Sequence, residues 1–97
     1  MNDLSNYRIY PLSESAAVID LGNAIDERMN DKVLAMHQWL KEHPFTGLKD
    51  MVAAYSSLTV LYDPLIIYNR LQPNSTVFDL VKERLEDAFQ ANGQFIP

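Results

Sequence analysis

The stretch that decides the fold runs from His43 to Pro64 and reads HPFTGLKDMVAAYSSLTVLYDP. Pro44 predicts the end of a helix, because the residue before a proline avoids the helical region of backbone conformation. Gly47 can then turn the chain, since glycine adopts conformations that other residues avoid. Two runs follow that predict strands over Leu48–Tyr55 and Leu58–Asp63. The stretch therefore predicts a helix end, a turn and a β-hairpin, in that order.

The second strand of this hairpin alternates between two sets of residues. One set is Leu58, Val60 and Tyr62, and the other is Thr59, Leu61 and Asp63. Such alternation is typical of a strand with one buried face. Ser56 and Ser57 are predicted as the turn, but neither is an ideal tight-turn residue, so the turn leaves the register of the hairpin open.

Upstream of this stretch, the pattern predicts a further hairpin followed by a helix. Its strands are Tyr7–Leu12 and Ala16–Leu21, with the polar residues 13–15 as the turn. From about Asp26 the apolar spacing becomes helical, and one stripe contains Met29, Val33, Met36 and Leu40. Either Asn23 or Asp26 is expected to cap the start of this helix.

Downstream, a second amphipathic helix is predicted after the prolines at 64 and 73. Residues 64–73 are expected to form a short helical turn over the core. Thr76 and Asp79 fit the capping-box pattern at a helix start, and an apolar stripe follows at Phe78, Val81, Leu85 and Phe89. Asn92-Gly93 is expected to end this helix, and Phe95-Ile96 to begin another strand.

The predicted element order is therefore β-β-α-β-β-α. Strands in one layer and helices in the other predict an α+β fold, a two-layer sandwich. The sheet is expected to be mainly antiparallel, with two helices on one face. Residues 1–97 are expected to form a single domain. The order of the strands in the sheet stays open, because this element order is compatible with more than one pairing of the hairpins.

The composition excludes several classes of function. The chain of 97 residues has no Cys, which excludes disulfides, thiolate catalysis and Cys-ligated zinc. Eight Lys and Arg against 13 Asp and Glu give a net charge of −5, which argues against nucleic acid and anionic membrane as partners. The densest apolar runs, Leu58–Tyr62 and Leu65–Tyr68, are far shorter than a membrane helix needs. A cytoplasmic location is expected.

No residue pattern predicts a catalytic group, a metal site or a bound cofactor. His37 and His43 are six positions apart, which does not place them on one helix face for a metal. Acidic and basic residues of the second helix, Lys82 to Asp87, are typical of a solvated face with paired charges. The three glycines stand alone, so there is no phosphate-binding loop.

Several aromatic residues are candidates for a binding groove. Trp39, Tyr55, Tyr62 and Tyr68 could line one, although such residues more often pack in a core with a polar tip at its edge. Asp63, which precedes Pro64, is a further candidate, but the same pair is favoured as turn chemistry at the end of a strand. Packing is the favoured interpretation for the four aromatic residues, and turn chemistry is the favoured one for Asp63.

Two blocks of the sequence resemble the KipI / allophanate hydrolase subunit 1 family, which includes the B-type subunit of 5-oxoprolinase. Pro11–Gly22 is similar to the opening hairpin of the family, and Pro44–Pro64 to its block ending in Tyr-Asp-Pro. The positions of the second block that fit the family pattern are Phe45, Gly47, Val52, Ala54, Tyr55, Ser57, Leu58, Val60, Tyr62, Asp63 and Pro64. The chain departs from the pattern at Ser13, Glu14, Asp50 and Ala53, which are turn and edge positions.

The resemblance implies a domain arrangement and a set of candidate functions. It implies the N-terminal domain of a longer two-domain protein, whose cyclophilin-like C-terminal domain is absent here. It implies that the protein assembles with hydrolase partner subunits of the 5-oxoprolinase A and C type. The resulting complex would use ATP to hydrolyse 5-oxoproline or another amide. This domain itself would bind no cofactor. Its predicted binding residues are Tyr55, Ser57, Tyr62 and Asp63.

Two further interpretations stay open beside the hydrolase complex. The first is inhibition of a sporulation-type histidine kinase, as in the member that gives the family its name, by pairing at an open sheet edge or through a helix face. The second is a purely structural module that holds another domain in place.

Overall fold

Seven helices and strands form in the computed structural model, which describes residues 7–22 and 26–91. They are β1 (Arg8–Ser13), β2 (Ala16–Asp20), α1 (Glu27–Glu42), β3 (Leu48–Ala53), β4 (Ser57–Tyr62), α2 (Pro64–Tyr68) and α3 (Val77–Ala91). The predicted order β-β-α-β-β-α is confirmed, and the short turn predicted after Pro64 is the five-residue helix α2. Three predictions lie outside the described residues: the cap at Asn23, the helix end at Asn92-Gly93 and the strand at Phe95-Ile96.

The four strands form one antiparallel sheet in the order β1-β2-β4-β3. Each hairpin pairs internally, and the two hairpins join through β2 and β4, with Ala16 opposite Leu61 and Asp20 opposite Ser57. Strands β1 and β3 are therefore the edges of the sheet. The connection between the hairpins is α1, which crosses one face of the sheet.

The turn of the second hairpin lies earlier than predicted. Strand β3 ends at Ala53 and β4 begins at Ser57, so the prediction that Ser57 belongs to the turn is wrong. The amide of Ala54 donates a hydrogen bond of 2.9 Å to the carbonyl of Ser57. Ser57 belongs to the strand because its other side pairs with Asp20 of the central strand β2. The sequence of the turn itself gives no indication of the pairing between Ser57 and Asp20.

Helix α1 begins and buries its apolar stripe as predicted. The carboxylate of Asp26 accepts a hydrogen bond of 2.9 Å from the Arg28 amide, which satisfies a donor at the helix start. The stripe predicted for this helix is buried in full. His43 ends the helix by donating its amide hydrogen to the Trp39 carbonyl at 2.8 Å.

The capping box of α3 is confirmed in both directions. The Thr76 amide donates to the Asp79 carboxylate at 3.1 Å, and the Asp79 amide donates to the Thr76 hydroxyl at 3.0 Å. Val81 and Leu85 of the predicted stripe are buried, whereas Phe89 is half-buried and Ala88 takes the deep position beside it. A small residue there allows α3 to approach its neighbours closely.

Helices α1 and α3 lie on the same face of the sheet and pack against each other. Helix α1 contacts β3 and β4, and α3 contacts β1 and β2. The predicted α+β two-layer sandwich is confirmed. The core between the layers contains Ala17, Ile19, Leu21, Met29, Val33, Met36, Leu40, Leu58, Val60, Tyr62, Ile67, Val81, Leu85 and Ala88. Within residues 7–22 and 26–91, no helix has the length and apolar character needed to span a bilayer.

Candidate functional site

The four predicted binding residues lie at opposite ends of β4. Tyr55 and Ser57 lie at its beginning, and Tyr62 and Asp63 at its end. At about 3.3 Å per strand residue, the two pairs are about 16 Å apart. The structure therefore does not bring the four residues together in one pocket.

Tyr55 is half exposed in the turn between β3 and β4, and that turn is held by polar contacts. The Asn30 side-chain amide donates to the Tyr55 carbonyl at 3.1 Å. The Ser56 hydroxyl donates to the Gly22 carbonyl at 2.7 Å, and the Leu21 amide donates to the Ser56 carbonyl at 2.8 Å. These bonds tie the turn to the end of β2 and the start of α1, and they leave the Tyr55 ring exposed.

Tyr62 points into the core rather than toward a groove. It is 2% exposed and belongs to the same buried set as Leu58 and Val60. Burial raises the pKa of the Tyr62 hydroxyl, because the phenolate is poorly solvated there. The packing interpretation of this residue fits the structure.

Asp63 caps α2. One of its carboxylate oxygens accepts hydrogen bonds from the amides of Leu65 at 3.0 Å and Ile66 at 3.4 Å. Pro64 occupies the first turn of the helix, where its missing amide hydrogen costs nothing. The structure therefore agrees with the interpretation of Asp63-Pro64 as turn chemistry at the end of a strand.

Replacing Asp63 by alanine is expected to lower the free energy of unfolding by about 1 kcal/mol, because two amides at the start of α2 lose their acceptor. Asp63→Asn keeps a capping oxygen and serves as the matched control. Urea denaturation followed by circular dichroism measures both. Equal stability of the alanine and asparagine variants would contradict the capping role.

Helix α2 exposes an apolar patch within the run Leu65–Tyr68, of which the sequence had singled out Tyr68 alone as a candidate for binding. Leu65 is 73% exposed, Tyr68 is 66% exposed and Ile66 is 43% exposed, while Ile67 is buried beneath them. We call Leu65, Ile66 and Tyr68 the α2 patch. Three large apolar side chains on a five-residue helix are an unusual concentration for an exposed surface.

Beside α2 lies a cavity of about 290 Å³, which we call the Arg70–Arg84 cavity. It is open to solvent and is bordered by the α1–β3 loop, α2 and its following loop, and α3. Its lining residues are Pro44, Phe45, Thr46, Ile67, Arg70, Leu80 and Arg84. The walls are thus mostly apolar, with two guanidinium groups from different elements.

The two arginines differ in how they are paired. An Nη of Arg84 lies 2.9 Å from the Asp87 carboxylate and 3.4 Å from that of Glu83. The Arg84 Nε is buried and has no hydrogen-bond partner among residues 7–22 and 26–91. Arg70 is exposed and forms no ion pair with the described part of the chain. The cavity therefore has an uncompensated positive charge at its rim.

Lys32 is a buried cation that sequence reasoning missed. It is 2% exposed, its Nζ donates to the Phe89 carbonyl at 2.6 Å, and it lies 4.4 Å from the centre of the Phe89 ring. Burial lowers the pKa of Lys32, because the charged ammonium loses solvation. Its position on α1, three residues after buried Met29, was the available signal. The contact joins α1 to the last turns of α3, which is a structural role.

The described residues contain no group of three or more metal-binding side chains. The His43 ring stacks on Trp39 with centroids 4.7 Å apart, and its Nδ1 lies 3.1 Å from the Trp39 carbonyl. Neither the polar turn near Tyr55 nor the end of β4 pairs a nucleophile with a base. The described surface also presents the α2 patch and the adjacent Arg70–Arg84 cavity.

Comparison with known proteins assigns the chain to a family. The model of the carboxyltransferase domain, subdomain C and D, matches residues 7–95. The chain belongs to this family. The resemblance to the KipI / allophanate hydrolase subunit 1 family is confirmed by the relatives that match.

A curated relative, the B-type 5-oxoprolinase subunit of Bacillus subtilis strain 168, is 38% identical over 82 residues, which are 84% of this chain and 34% of the relative. The chain thus spans about a third of that relative's length. The N-terminal domain of the histidine kinase inhibitor KipI from Bacillus subtilis is 34% identical, with a TM-score of 0.76 over 89% of this chain and 86% of that one. A conserved uncharacterized protein from Pyrococcus horikoshii, PH0987, is 29% identical, with a TM-score of 0.68 over 90% of this chain and 38% of that one.

Proposed function

We propose that this carboxyltransferase-family domain is a non-catalytic part of a cytoplasmic 5-oxoprolinase-type hydrolase complex. Its task is to bind partner subunits of the A and C type, while the complex as a whole uses ATP. The observation that carries the proposal is the 38% identity, over 84% of the chain, to a protein named as a 5-oxoprolinase subunit.

The surface of the domain supports a binding role. The α2 patch places three large apolar side chains in solvent, and protein interfaces bury such residues at their centres. We assign the α2 patch to the contact with a partner subunit.

Turnover of 5-oxoproline tests this proposal. Partner subunits of the A and C type are mixed with the polypeptide that carries this domain, and 5-oxoproline-dependent ATP hydrolysis is measured with and without it. Hydrolysis is expected only in the complete mixture. Soluble, associated subunits that show no 5-oxoproline-dependent hydrolysis would contradict the proposal.

A variant of the patch locates the contact. Leu65→Ser is expected to weaken complex formation about fivefold or more, since truncation of an anchor at an interface costs upwards of about 1 kcal/mol. Leu34→Ser changes an exposed leucine on α1 and is the matched control. Equal association of both variants with the partner subunits would remove the patch from the interface.

A second candidate function is inhibition of a histidine kinase. It is supported by the TM-score of 0.76 and 34% identity to the N-terminal domain of the kinase inhibitor KipI. Capture of the dimerisation helices of a histidine kinase by this chain, with no capture of the hydrolase partner subunits, would favour it over the hydrolase complex.

A further inference from the structure

We infer that the Arg70–Arg84 cavity binds a small carboxylic acid as its anion. The inference deepens the proposed function. It rests on that function for the choice of ligand, because 5-oxoproline is a small ring with one carboxylate. The cavity is separate from the α2 patch, although Ile67 of the same helix forms part of its wall.

The charge distribution points to an anion. The chain carries 13 acidic residues against 8 basic ones, yet the cavity is lined by two arginines and by no Asp or Glu. Arg8 and Arg28 are each paired with an aspartate, at 3.2 and 3.0 Å. Arg70 has no such partner in the described part of the chain, so its guanidinium is available to a ligand.

The two side chains are donors suited to an oxyanion, and a carboxylate is the oxyanion that a compact organic acid supplies. A guanidinium presents parallel N–H donors whose spacing matches the two oxygens of a carboxylate. Arg84 already pairs through one Nη with the carboxylates of Asp87 at 2.9 Å and Glu83 at 3.4 Å, which holds its side chain beside the cavity. Arg70 is therefore the lining arginine without an ion pair in the described part of the chain. Arg70 approaches from the loop after α2, so the two arginines flank the cavity from different elements.

The size and lining of the cavity limit the rest of the ligand. A volume of about 290 Å³ lies at the small end of ligand-binding pockets, which suits a compact acid. Phe45, Ile67 and Leu80 provide apolar walls for a carbon ring or short chain. Thr46 is a polar residue of the lining. We therefore commit to a free small acid rather than an acidic side chain of a partner protein.

Titration of the isotope-labelled 97-residue chain, followed by amide chemical shifts, tests the inference. The probes are 5-oxoproline and its carboxamide, which keeps the ring and lacks the negative charge. The acid is expected to shift the amides of Phe45, Thr46 and Arg70 saturably, and the carboxamide to bind about tenfold or more weakly, because a charge-assisted hydrogen bond is lost. Equal shifts with both probes would overturn the inference.

Variants locate the binding. Arg70→Gln is expected to raise the Kd for 5-oxoproline about tenfold or more, and its exposed position leaves the fold intact. Arg84→Lys keeps the charge without the two-donor geometry and is expected to weaken binding as well. Arg8→Gln, on the distant strand β1, is the matched control. Unchanged Kd values in both cavity variants would refute the site.

A third probe distinguishes a free small acid from an acidic side chain of a partner protein as the source of the carboxylate. Glutamate blocked at both its amino and α-carboxyl groups carries only a side-chain acid, like a residue of a partner protein. Tighter binding of this probe than of 5-oxoproline would overturn the assignment to a free acid. Because these measurements need no partner subunit, their failure leaves the complex proposal intact, and loss of turnover in the complex leaves the cavity result intact.

Discussion

Replacing Gly47 by alanine is expected to lower the free energy of unfolding by about 2–4 kcal/mol. Gly47 has a φ of +100°, a conformation that residues with a Cβ rarely adopt. An added Cβ would also lie 2.9 Å from the Cγ1 of Ile67. Ile67 is buried in the core, so it has little room to move. Backbone strain and steric overlap therefore act together.

Gly22→Ala is the matched control for this experiment. Gly22 also has a positive φ, of +126°, but among the described residues an added Cβ there would meet the Met29 Cε at an ordinary 3.5 Å. It is expected to cost about 1–2 kcal/mol from the backbone alone. Urea denaturation of both variants isolates the overlap with Ile67. A Gly47 variant that loses no more stability than the Gly22 variant would refute the close contact.

Replacing Leu58 by alanine is expected to lower the free energy of unfolding by about 2–5 kcal/mol. Leu58 is fully buried in the central strand β4, where it faces the helix layer. Its removal loses the transfer free energy of the side chain and leaves a cavity that the surrounding core fills only in part. Thermal and urea unfolding measure the loss.

Leu61→Ala provides a control within the same strand. Leu61 lies on the opposite face of β4 and is only half-buried, so its truncation is expected to cost about 1 kcal/mol or less. The two substitutions make the same chemical change in one strand. Equal losses for both would mean that the face toward the helices is not the one that carries the core.

Much of the fold could be predicted because its signals are local. The alternation in β4, the stripe of α1 and the capping box of Thr76 and Asp79 each operate within a few residues. The order of strands could not be predicted in the same way, since pairing of β2 with β4 joins residues about 40 positions apart. One signal was available: Ala16–Ile19 is a continuous apolar run, which is typical of a strand inside a sheet.

The candidate site was less predictable than the fold. Tyr62 and Asp63 stood out in the sequence, yet one packs in the core and the other caps a helix. Arg70 and Arg84 meet at one cavity only because a loop folds α3 back against α2, and no spacing rule links them. The sequence predicts that Arg84 belongs to a solvated helix face with paired charges, and its ion pair with Asp87 agrees with that prediction.

The strand order has a consequence for how copies of this domain avoid sticking to one another. Both edge strands are irregular: β1 contains Pro11, which lacks an amide hydrogen, and its register shifts between Pro11 and Ser13. The register of β3 shifts between Leu48 and Asp50, and the Asp50 carboxylate accepts the Met51 amide hydrogen at 2.8 Å. Such edges resist the addition of another strand and so resist aggregation. We therefore expect partners to bind away from the sheet edges, on the helical side of the domain.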